Sequence, residues 1–202
     1  MDFKVGDKVV VPTLGVGVVR EIVDENIGGD AYRLYDIKIL DNGSTFQVSP
    51  EMAEENGVRE VMLTSMIDEV YAVLRDREKP ADKQTWNRRY REYMNKIKTG
   101  DPLEVAAVLR DLAILKSEKQ LSFGERKMYD QAHGLIVQEI AVARDDDEDD
   151  VKDELEQLFK EADAAMSGDA KPVRKSKKKK KVADADDGDD NDNDDDDEET
   201  DD

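Results

Sequence analysis

Cysteine is missing altogether from this chain, histidine and tryptophan occur once each, and no stretch of eighteen apolar residues is present. Without cysteine there is no disulfide, no thiolate nucleophile and no zinc–thiolate site, so the fold must rest on packing. The lack of a long apolar run excludes a membrane-spanning helix of ordinary length. The start, MDFKVGDKVV, lacks the basic and then apolar pattern of an export signal, so a cytoplasmic protein with no membrane partner is expected.

Catalytic chemistry is equally thin. The lone histidine, His133, stands beside Gly134 in a helical pattern and reads as a structural or surface residue. The Gly15-Val16-Gly17 run leads into a strand pattern, which excludes a dinucleotide or phosphate-loop fingerprint. The terminal aspartates lack the spacing and the glycine of a calcium loop. The expectation is a protein with no enzymatic activity, no catalytic residue, no metal and no cofactor.

What the chain has in excess is charge, unevenly placed. The net charge of -20 divides into -7 over residues 1–81, +3 over 82–144 and -16 over 145–202. The basic middle concentrates in DKQTWNRRYREYMNKIK, residues 82–98, which holds the tryptophan. Positions 83–98 carry six positive groups against Glu92 alone. At 100° per residue Trp86, Tyr90, Tyr93 and Ile97 share one side of a helix, and Arg88, Arg91, Asn95 and Lys98 share the other. An aromatic seam beside a basic stripe suits a nucleic-acid backbone with a ring placed near it. The same pattern also describes a core-facing tryptophan with a solvated basic face. Thr85, a candidate N-cap, puts Trp86 in the first turn, where a side chain can project past the core.

The first sixty residues read as short strands: Lys8 to Val11, Val16 to Val23, Tyr32 to Leu40 and Thr45 to Val48, with Asp41-Asn42-Gly43 as a hairpin turn. Short strands with tight turns predict a small SH3- or Tudor-like barrel, because closure removes exposed edges. Ser65 is placed at the N-cap of a helix whose apolar side carries Met66, Val70, Val73 and Leu74, and Arg75 to Thr85 reads as a linker. Capping boxes at Asp101-Pro102-Leu103-Glu104 and Ser122-Phe123-Gly124-Glu125 open two further helices, and Val151, Leu155, Leu158, Phe159 and Ala162 mark another. Residues 171–181 then carry eight positive charges and 182–202 fourteen negative ones, a composition that predicts disorder.

The fold class is therefore α+β, with a barrel at residues 1–62, a helix and linker at 63–85, a compact all-α domain at 86–167 and a charged tail at 168–202. On composition alone, an adaptor or acidic chaperone-like protein whose tail binds basic partners is the alternative to a nucleic-acid-binding reading.

FKVGDKVVVPTLGVGVV at residues 3–19, AEENGVREVM at 53–62, WNRRYREYMNKIKTGDPLEVAAVLRDL at 86–112 and LSFGERKMYDQAHGLIVQEIA at 121–141 resemble the CarD/CdnL family of bacterial transcription regulators. The likeness extends over about residues 1–166. It implies a monomer whose Tudor-like domain, shared with transcription-repair coupling factor, binds the RNA polymerase β subunit. Its helical domain would contact promoter DNA just upstream of the melted region and stabilise the open complex.

By that resemblance Trp86 is the minor-groove wedge, and Arg88, Arg89 and Arg91 are the basic positions beside it; Lys96 of the same basic run joins them as a candidate DNA contact. The polymerase-facing positions are Glu25, Ile27, Gln47, Val48 and Pro50. Relatives commonly carry basic residues where this chain has Glu25 and Gln47. Edge-to-edge strand pairing does not need them, because it runs through backbone groups.

Overall fold

The computed structural model describes residues 2–27, 30–78 and 85–167. The charged tail beyond Ser167 lies outside them. Five antiparallel strands form one sheet in the order β4-β3-β2-β1-β5: β1 (Lys8–Val11), β2 (Gly15–Ile27), β3 (Asp30–Ile39), β4 (Thr45–Val48) and β5 (Arg59–Glu60). Alternation sends Val9, Val11, Val19, Tyr35, Ile37 and Val48 into a shared core with Phe3, Ala53 and Val58. This is the Tudor-like half of an α+β protein.

Strand β2 runs four residues past the apolar stretch that marks it in the sequence. A register shift between Val19 and Glu21 lets its polar end continue, paired with β3 as far as Ile27 opposite Asp30. After β4, Ser49 accepts a hydrogen bond from the Met52 amide and caps the short helix α1 (Pro50–Glu55), which local pattern alone did not mark.

Five helices follow: α2 (Ile67–Arg75), α3 (Trp86–Thr99), α4 (Pro102–Glu118), α5 (Phe123–Arg144) and α6 (Glu148–Ser167). Ser65 is not the cap of α2, because it sits within a 3₁₀ turn, Thr64–Met66, that leads straight into the helix. Asp101 caps α4 through the Leu103 amide, with Pro102 at the first helical position. Ser122 and Glu125 form a complete reciprocal capping box at α5.

The apolar faces of all five helices close over one core, with Leu74, Ile97, Leu109, Leu112, Ile136 and Leu155 at its centre. The chain beyond α2 is also tied to the bundle. Arg77 is buried over the Phe159 ring, 5.2 Å from its centroid, and donates to the Phe159 carbonyl at 3.1 Å. No described helix is long and apolar enough to cross a membrane.

Candidate nucleic-acid interface

Helix α3 places its aromatic seam at graded depth. Tyr93 and Ile97, in the last two turns, are 6% and 0% exposed, whereas Tyr90 is 45% exposed and Trp86 half-buried at the tip. Thr85 occupies the N-cap with extended backbone angles but makes no side-chain capping bond, so the first turn is held by what its side chains touch.

The indole rests on the backbone of Gly124 in the first turn of α5. A β-carbon there would lie 3.1 Å from the ring, so only glycine admits this approach without displacing it. Tyr90 meets the indole edge-on with centroids 5.7 Å apart, and the Arg89 guanidinium lies 5.7 Å over it.

Arg89 belongs to this support more than to the basic face. Its Nη2 donates to Glu125 Oε1 at 2.9 Å, and only 24% of its side chain is exposed. Burial opposes ionisation of Glu125. Hydrogen bonds from Ser122, Lys119 nearby and Arg89 outweigh it and hold the carboxyl below its ordinary range. One carboxylate therefore caps α5 and anchors the cation beneath the indole.

The other predicted cations stay at the surface. Arg88 is exposed in a long 3.4 Å contact with Glu92, and Lys96 bridges to Glu104 at 2.8 Å. Exposed pairs of this kind contribute little to stability. Arg91 is exposed and makes no ion pair among the described residues. The α5 first turn adds exposed Arg126 and Lys127 beside Gly124, and Phe123 there is 87% exposed. Sequence periodicity within α3 could not have found these three. The small residue inside the Ser122 capping box was the available signal.

The polymerase-facing candidates lie elsewhere and are not gathered into one cluster. Gln47 is exposed on the edge strand β4 opposite Asp36, while Glu25 is exposed near the end of β2 opposite Tyr32. Four residues of β3 separate the two registers, about 13 Å at strand rise. Both alternate onto the sheet face that carries Glu21 and Asp36. Val48 turns its side chain into the core, leaving its backbone at the edge. Ile27 ends β2, and Pro50 is the first residue of α1, so the β4 edge stops at Val48.

His133 is half-buried and stacked on Tyr129 at 5.7 Å; burial first, then Lys116, lowers its pKa. Among the described residues no group of acidic, histidine or cysteine side chains has the arrangement of a metal site.

A Tudor-like strand domain is thus joined to a helical bundle, with a ring and cations at one tip. Comparison with known proteins makes this specific. The CarD-like/TRCF RID domain matches residues 3–62, and the CarD C-terminal domain matches residues 69–156. A candidate transcription factor of Bacillus subtilis (strain 168), YdeB, is 28% identical over 151 residues, spanning 74% of this chain and 97% of that protein. The chain belongs to the CarD-like family of transcription regulators, which are not enzymes.

Proposed function

We propose that this regulator binds the RNA polymerase β subunit through its barrel, residues 1–62, and promoter DNA at the upstream edge of the melted region through the tip of α3. The half-exposed Trp86, supported from below and bordered by cations, is the observation that carries this reading. In it the indole wedges between bases. Unstacking costs a few kcal/mol, which phosphate contacts and a longer-lived open complex offset. Arg88, Arg91 and Lys96 hold phosphates, and Arg89 keeps the ring in place. Because phosphates and a wedge contribute few base-edge contacts, recognition depends little on sequence.

On the polymerase side, the exposed edge of β4 offers backbone groups to a partner strand. Glu25 and Gln47 set the charge of the neighbouring face, and the compartment is the cytoplasm where polymerase works.

The test is Trp86→Ala. Only half of the ring is covered, so the variant folds and still captures polymerase, while its effect on open-complex lifetime falls roughly tenfold, equivalent to about 1.4 kcal/mol. Lifetimes equal to those given by the unaltered protein would overturn the proposal.

A further inference from the structure

Barrel and bundle meet where Gly15 packs against Leu135 and Gln138 of α5 and, beside that contact, at an ion pair largely withdrawn from solvent. Arg59 on β5 reaches Glu139 on α5 through two parallel bonds, one of them Nη2 to Oε2 at 2.9 Å, and the Glu139 side chain is 5% exposed. The same carboxylate accepts the Met62 amide at 2.9 Å. Arg59 directs two further donors to carbonyls: Nε to Gly100 at 2.7 Å and Nη1 to Glu60 at 2.9 Å. One guanidinium thus joins its own strand, the α3–α4 junction and the middle of α5.

The packing around it is close. Gly100 takes the left-handed conformation that ends α3, φ 72°, and a β-carbon there would sit 2.9 Å from Pro12 of the β1–β2 turn. The cavity left between the two halves at this point is about 10 Å³, room for one water molecule at most.

A buried ion pair adds little net stability over apolar packing, because desolvation offsets its attraction; its bonds do impose direction. Direction matters here because α3 is a lever. Its fourteen residues run from Trp86 to the junction that Arg59 holds. At 1.5 Å per residue that is about 21 Å, so a 10° change of angle moves the tip by roughly 4 Å. One base-pair step is about 3.4 Å.

We propose that Arg59 and Glu139 are positioning residues: they fix the angle between barrel and bundle, so that a barrel seated on polymerase delivers the Trp86 indole to one base step. This rests on the function proposed above. With the pair broken, each half keeps its own partner contact, but the two contacts no longer fall in register.

The full-length chain is labelled for distance measurement through Lys38→Cys on β3 and Asp130→Cys on α5, both exposed and free of competing native thiols. The expected result is a narrow distribution that broadens in Glu139→Gln and in the milder Arg59→Lys. Capture of the β subunit and affinity for a fork-junction duplex stay unchanged, while open-complex lifetime falls toward that given by Trp86→Ala. A narrow distribution retained in both variants overturns the proposal, as does broadening with native lifetimes. Loss of the folded state in both would make the pair a stability element and also overturn it. If Trp86→Ala itself leaves lifetimes unaltered, the DNA-wedge reading fails instead, and the distance distribution still reports whether the pair sets the angle.

Discussion

The two ends of helix α3 share one face and differ in what covers it. At the C-terminal end Tyr93 and Ile97 are buried in the bundle core, and the helix is closed by a glycine cap under Pro12. At the N-terminal end the same stripe rises to the rim: Trp86 is half-buried against the edge of the core and Tyr90 is exposed, with Gly124, Arg89 and each other as further support. Helical phase assigns a side chain to a face, whereas depth is decided by how far the neighbouring helices extend. A helix longer than the core it packs on leaves its last apolar side chains available to a partner.

Substitutions at each end sharpen that contrast. Ile97→Ala removes a fully buried side chain and should cost about 3 kcal/mol, seen as a large fall in the denaturant midpoint. Equal losses for Ile97→Ala and Trp86→Ala would break the distinction between the ends.

Gly124→Val should have a smaller effect on stability, about 1 kcal/mol, but should push the indole off its seat. Trp86 is the only tryptophan, so the change reads directly as a red shift of fluorescence; an unshifted spectrum would mean that the ring does not rest there.

The smallest effect is on alkaline stability. Burial, aided by Asp111, pushes the Tyr93 hydroxyl from 10.0 up to about 12. The folded state then keeps its proton longer than the unfolded chain does. Its contribution is complete below pH 10 and lost as pH rises toward 12. Tyr93→Phe should flatten part of that loss, measured as melting temperature against pH, and an unchanged profile would mean that the buried hydroxyl does not contribute.

Much of this architecture was legible beforehand because it is local. The strands β1 and β4, the Asn42-Gly43 turn, the face of α3 and the Ser122 capping box each follow from periodicity or turn chemistry within a few residues. The polar end of β2 was not, since Asp24 to Asn26 become strand through pairing with β3 rather than by their own preference. Ser65 precedes an acidic first turn, as a cap would, but it lies inside the 3₁₀ turn that starts the helix, and Met66 takes the cap position.

The contacts that shape the candidate surface were hidden for a different reason. Arg89 finds Glu125 across 36 residues and Arg59 finds Glu139 across 80, distances at which no local spacing speaks. Arg89 reads from the sequence as one more basic position beside the seam, and the bond to Glu125 is visible only in three dimensions.

Glu125 completes the start of α5 and, with the same group, anchors the cation that props the indole. A newly made chain therefore cannot erect the ring before that helix has begun. A half-folded copy that lacks this helix start has no seat on which the ring can stand.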